Sequence, residues 1–154
     1  MGPQQRVEVI WPMSTQGFTL RPIELLLVFT GGSAGTASRL AVSLLLPQQG
    51  PLPVAILLVN LTGALALGWL LTALAARGPE TTRRKKLRLL LGTGFMGGFT
   101  TYSALATDTM LLFTQGSTAI GLAYGLGTVL LGAFATWVGM LLGTRRRTPQ
   151  GDAK

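Results

Sequence analysis

Apolar residues fill this chain in four long runs, separated by short polar or breaker-rich segments. The runs cover about residues 23–46, 52–76, 87–113 and 118–142. Each is long enough for a bilayer-spanning helix, which needs roughly 20 apolar residues. Between the first two lies PQQGP at residues 47–51, a turn of helix breakers. RGPETTRRKKLR at 77–88 joins the second to the third, and TQGS at 114–117 joins the third to the fourth. The pattern predicts an all-α integral membrane protein with four transmembrane helices in one domain over residues 23–143. Residues 1–22 are mixed and polar, with Pro3, Pro12 and Pro22 set against a helix, and read as a polar tail. Residues 144–154 read as a basic tail. A cleaved leader within residues 1–37 is the alternative, because the run Leu25–Phe29 is short and small residues follow it. The apolar pattern continues to Leu46, however, which favours a retained span.

Composition agrees with the pattern. The 154 residues are 48% hydrophobic and 12% charged, against about 25% charged in soluble domains. Cysteine and histidine are absent. That excludes disulfides, thiol nucleophiles, histidine bases and His/Cys metal sites together. With so few carboxylates as well, no catalytic constellation can be assembled, and the chain is not expected to be an enzyme. The 21 glycines suit close packing of membrane helices.

The formal charge of +8 is unevenly placed. Arg6 and Arg21 precede the first run. Arg77, Arg83, Arg84, Lys85, Lys86 and Arg88 lie in the 77–88 loop, and Arg145, Arg146, Arg147 and Lys154 follow the last run. With four spans, all of these lie on one side, and the two opposite loops hold no basic residue. Basic loops stay cytoplasmic, so both termini and the long loop are expected there, in a multi-pass protein of the cell inner (plasma) membrane. The same rule explains RRKKLR as a topology signal, and no nucleic-acid partner is expected.

Several residues inside the runs are costly at membrane depth and mark candidate chemistry. Arg39 sits deep in the first run, beyond Gly31, Gly32 and Gly35. It either snorkels to the far interface or provides a fixed cation beside an anion route. Asn60 interrupts the second run, and Gly63, Ala64, Leu67 and Gly68 continue its face. Its amide can bond a neighbouring helix or solvate an anion. The third run holds GTGFMGGFTTYS at 92–103, with four glycines and four aliphatic hydroxyl residues. This predicts either a kink at Gly97-Gly98 or a functional break at mid-membrane. In a break, freed carbonyls and threonine oxygens are hard ligands suited to an alkali cation. Gly125, Gly132 and Gly139 recur seven apart in the fourth run, a stripe for close helix contact. Asp108, towards the far end of the third run, is expected at an interface or vestibule.

Three of these segments together resemble the Fluc (CrcB) family of fluoride channels over roughly residues 23–143. GGSAGTASRL at 31–40 resembles the family's Gly-Gly-x-x-Gly-Ala-x-x-Arg pattern, and NLTGALALG at 60–68 is similar to its Asn-x-x-Gly segment. TGFMGGFTTYS at 93–103 resembles the signature Gly-Phe-x-Gly-Gly-x-Thr-Thr-Phe-Ser. The resemblance implies a dual-pore dimer of antiparallel subunits in the lipid bilayer. Such a dimer passes fluoride passively and selectively out of the cytoplasm and so lowers its toxicity. It implies a structural sodium ion, not transported, held at the dimer centre by backbone carbonyls of Gly97 and Thr100. It assigns the fluoride pathway to Asn60, Tyr102, Ser103, Leu105 and Tyr124, with Arg39 as an anion-vestibule or structural cation.

The chain departs from the family where two phenylalanines, three apart, present ring edges to fluoride. Those places hold Tyr102 and Leu105, and Ala104 and Ala106 replace hydroxyl positions that follow. The antiparallel second subunit is either a second copy of this chain or a paralogue; the one-sided basic charge points to a fixed orientation and so to a paralogue. A non-conducting partner subunit of a heterodimeric channel is the alternative reading. A small four-helix proton-coupled exporter is a third, but it lacks a mid-span carboxylate.

Overall fold

A computed structural model describes residues 21–46, 50 and 52–144, and every regular element among them is helical. The 47–51 turn (all but Gly50), nearly all of the 1–22 tail and the basic residues from Arg145 onward lie outside the described residues. Helix α1 spans Pro22–Leu45 and α2 spans Val54–Ala75. Helix α3, Thr82–Leu87, runs without a gap into a π-helical segment, Arg88–Met96, and then into the single turn α4, Gly97–Phe99. Helix α5 is Tyr102–Thr114 and α6 is Thr118–Thr144.

Local chemistry sets the boundaries. Pro22 opens α1 instead of barring it, because the first helical position needs no N–H. Pro53 caps α2 and moves its start past residue 52. The third helical run begins at Thr82, earlier than the apolar pattern suggests, because the Thr81 hydroxyl accepts the Arg84 N–H at 3.4 Å. Gly116 takes φ +77° after α5. The Ser117 N–H reaches the Leu112 carbonyl at 2.9 Å and the Gly116 N–H reaches Phe113 at 3.0 Å. This Schellman closure turns the chain sharply into α6.

Three helices, α1, α2 and α6, are long and apolar enough to cross a membrane. At 1.5 Å per residue, α2, the shortest with 22 residues, is about 33 Å long, against a hydrocarbon core of about 30 Å. The apolar surface supports this assignment. Phe29 is 72% exposed, Leu44 73% and Leu130 69%, whereas Val59, Leu70, Leu105, Leu112 and Tyr124 make a slight interior. In water, exposed apolar surface of that extent drives association.

Packing relies on backbone approach more than on side-chain volume. Helix α1 lies along the π-helical segment and α4, and α2 lies along α6. A Cβ on Gly35 would collide with the Phe95 carbonyl oxygen, and one on Gly139 with that of Leu65. The seven-residue stripe of α6 serves several surfaces. Gly139 packs on α2, Gly125 lies against Thr109 of α5, and Gly132 meets nothing within 4 Å. At one end, Lys85 Nζ pairs with Glu24 at 2.6 Å and Arg88 Nε with Glu80 at 2.9 Å.

Candidate functional site

The helical chain is interrupted at Thr100 and Thr101. Their dihedrals are extended, φ −78°, ψ 156° and φ −150°, ψ 118°. The Gly97-Gly98 pair stays helical, so the interruption falls two residues beyond the expected kink. Packing explains this, because a Cβ on Gly98 would collide with the Gly32 carbonyl oxygen. The pair is there for close approach to α1. Thr101 breaks the helix by starting a new one, its hydroxyl accepting the Ala104 N–H at 3.3 Å as the cap of α5.

The depth of the interruption can be read from its neighbours. The Thr100 methyl packs on Gly63, near the middle of α2, and Gly98 packs on Gly32 and Thr36, near the middle of α1. Exposed backbone at the midpoint of spanning-length helices must find partners within the protein. Asn60 supplies two. Its Oδ1 accepts the Thr101 N–H at 2.8 Å and its Nδ2 donates to the Thr101 carbonyl at 3.1 Å. Arg39 is turned inward: its Nε donates to the Gly98 carbonyl at 3.3 Å, and the Thr36 hydroxyl donates to the same oxygen at 3.4 Å. A cation at the C-terminal end of α4 also meets the negative end of its peptide dipoles.

These bonds divert the helical partners of two carbonyls. In an unbroken helix the Gly97 oxygen would accept from Thr101 N and the Thr100 oxygen from Ala104 N. Here Thr101 N is held by Asn60, and Ala104 N by the Thr101 hydroxyl. Met96, by contrast, keeps its bond from Thr100 N at 3.0 Å and takes another from the Thr100 hydroxyl at 2.8 Å. Gly97 is exposed, and a Cβ there would meet nothing within 4 Å. Among the described residues no group of three His, Cys, Asp or Glu could hold a metal ion. The available ligands are therefore neutral, hard oxygens, which suit an alkali cation better than a transition metal.

The remaining candidates fall into two groups. Tyr102, 80% exposed, and Ser103 lie outward beside the interruption, with Ser103 Oγ 3.1 Å from the Thr101 hydroxyl. Leu105, 7% exposed, is turned inward and packs with Leu112 and Tyr124. The Tyr124 hydroxyl donates to the Pro53 carbonyl at 3.4 Å. Leu105 and Tyr124 each line a groove. One, of about 360 Å³, runs between α5 and α6 and has Tyr102 and Leu105 in its wall. The other, of about 420 Å³, runs between α2 and α6 and has Tyr124 and Thr128 in its wall. Asp108 is half-buried, and its Oδ2 is shielded from solvent with no hydrogen-bond partner among the described residues.

Sequence reasoning missed Thr36 and Thr101. Thr36 was within reach, because it lies three residues before Arg39 and so on the same face of α1. Thr101 belongs to the Thr-Thr pair that weakens the helix, but its role as Asn60's partner had no signal, since Asn60 is 41 residues away.

Comparison with known proteins gives a consistent result. The family model for CrcB-like protein, Camphor Resistance (CrcB), matches residues 26–140. A fluoride-specific ion channel FluC 2 of Leifsonia xyli is 45% identical over 119 residues, covering 77% of this chain and 82% of that protein. A fluoride-specific ion channel FluC 1 of Cutibacterium acnes is 40% identical, covering 77% and 83%. A fluoride-specific ion channel FluC of Paracoccus denitrificans is 42% identical over 117 residues, covering 75% and 90%.

Proposed function

The chain belongs to the CrcB (Fluc) family of fluoride-specific ion channels, and from that premise we propose that it is one subunit of a fluoride-selective channel. In this reading it lets fluoride leave the cytoplasm down its gradient and so lowers the toxic internal level. One observation carries the reading. At the midpoint of two spanning-length helices, Asn60 and the Thr101 hydroxyl take up the N–H groups that would otherwise pair with the Gly97 and Thr100 carbonyls. Opened backbone at such depth is tolerated where protein buries it or where it lines a cavity, and the exposed Gly97 favours the second case.

The finer assignments follow from that arrangement. The π-helical segment, α4 and α5 together form the fourth membrane span, broken at Thr100-Thr101. The Gly97 and Thr100 carbonyls hold a structural sodium ion. One chain offers too few oxygens for this, and an antiparallel second subunit doubles the set. Fluoride passes Tyr102, Ser103, Asn60, Leu105 and Tyr124. The clamp on Thr101 uses Oδ1 and one N–H of Asn60 and leaves the second N–H for an anion. Selectivity comes from a narrow path, poor in water, in which short donors and ring edges replace fluoride's hydration shell. The sodium ion and Arg39 offset the cost of an anion at low dielectric. Binding must also be weak enough for release.

Two features bear on the partner. The described basic loop residues gather at one end with the start of α1, which favours a single orientation in the plasma membrane, both termini cytoplasmic. The antiparallel partner is then a paralogue. Leu105 favours the second reading, a non-conducting subunit that completes its partner's pore, because an inward leucine offers fluoride no polarised edge. Fluoride efflux from liposomes holding this chain alone, with chloride as control, separates the two. Selective efflux lost in Asn60→Asp supports the conducting subunit, whereas no efflux from folded, sodium-bound protein supports the completing one.

A further inference from the structure

A cleft of about 170 Å³ lies between the start of α1 and the loop leading into α3, lined by Arg21, Glu24, Glu80, Thr82, Lys85 and Lys86 among others. We propose that this cleft binds the phosphate of an anionic phospholipid headgroup. Its volume is roughly six waters' share of the liquid, which accommodates a phosphodiester. The two carboxylates on its rim do not oppose an anion, because each is held by its own cation. Glu24 pairs with Lys85 at 2.6 Å and Glu80 with Arg88 at 2.9 Å. Arg21 and Lys86 form no ion pair among the described residues, and Thr82 lines the same cleft.

Position favours a lipid over a soluble anion. Directly below Arg21, the first turns of α1 present Ile23, Leu25 and Leu26, 44%, 52% and 54% exposed, to the acyl region. An anion in the cleft therefore sits at headgroup depth with an apolar wall beneath it for its chains. The rest of the loop adds Arg77, Arg83 and Arg84, so the local field is strongly positive. The topology rule accounts for how many basic residues the loop carries, but not for a pocket in which both acidic side chains are already neutralised.

To test this, the full chain is purified in a neutral detergent and titrated with phosphatidylglycerol, phosphatidylcholine or inorganic phosphate, and retention is read by native mass spectrometry. Fluoride transport is not involved, so the result stands apart from the channel reading. Phosphatidylglycerol should be retained about tenfold over phosphatidylcholine, and Arg21→Gln or Lys86→Gln should each weaken retention about fivefold. Lys86→Arg should keep it, and so should Arg77→Gln, which removes the same charge outside the cleft. Equal retention of the two lipids would overturn the proposal. So would an equal loss in Arg77→Gln and Arg21→Gln, which would indicate diffuse attraction. Inorganic phosphate displacing the lipid at matched concentration would overturn the assignment to a headgroup.

Discussion

Replacing Asn60 by leucine, which is close to it in shape, removes both of its bonds to Thr101 while keeping most of the packing. Among the described residues the Thr101 N–H donates only to Asn60 Oδ1, at 2.8 Å, and the substitution leaves it an unsatisfied, part-buried donor. Leaving a buried donor unpaired costs about 1–3 kcal/mol. The Thr101 carbonyl, as a helix cap, keeps the first bond of α5 and loses only the second one, at 3.1 Å, worth about 0.5–1.5 kcal/mol. The sum is about 1.5–4.5 kcal/mol, or about 10- to 1600-fold in the local opening equilibrium at 1.4 kcal/mol per decade. Hydrogen exchange at the Thr101 amide, measured in detergent by mass spectrometry of overlapping peptides, reads that opening directly. Asn60→Leu should speed exchange at Thr101 by about that factor and leave the middle of α6 unchanged. Unchanged exchange at Thr101 in a folded Asn60→Leu protein would refute the clamp and the reasoning built on it.

Other expectations are simpler to state. Gly35→Ala pushes a methyl into the Phe95 carbonyl and should lower resistance to SDS-induced unfolding by about 1–3 kcal/mol, whereas Gly132→Ala, with open space around it, should change little. Glu24→Gln breaks a partly exposed ion pair and should cost at most about 1 kcal/mol in the same assay. Leu105→Ala opens space beside Leu112 and Tyr124 and should cost about 2–5 kcal/mol. If the completing-subunit reading holds, Leu105→Phe should raise fluoride efflux from liposomes containing this chain alone.

The long-range pattern of this fold is legible in the sequence, and its interior contacts are not. The apolar runs located α1, α2 and α6, because lipid imposes length and polarity directly on such helices. The starts of α1 and α2 moved by a residue or two where Pro22 and Pro53 acted as start and cap, and the third helical run began about five residues early where Thr81 capped α3. The interruption lies inside the 92–103 stretch, at its Thr-Thr pair and not at the Gly97-Gly98 kink that was the other possibility, because glycine pairs serve two purposes. Gly97-Gly98 looks like weak helix, yet Gly98 is needed for contact with α1 and stays helical, while Thr101 ends the run by capping the next helix. Arg39 is balanced in the sequence between snorkelling and a fixed cation beside an anion route. Only the position of the Gly98 carbonyl, 59 residues on, shows its Nε turned inward. Asn60 carried a similar ambiguity, and its bonds to Thr101 meet the expectation of a neighbouring-helix partner without removing its capacity to face an anion.

The most direct test of the channel claim is fluoride efflux from sodium-containing liposomes reconstituted with this chain, co-reconstituted with a candidate partner subunit if the chain alone is silent, and with chloride as control. The account predicts fluoride-selective efflux that falls sharply in Asn60→Asp. Efflux that carries chloride equally, or that is indifferent to Asn60→Asp in folded protein, would contradict it.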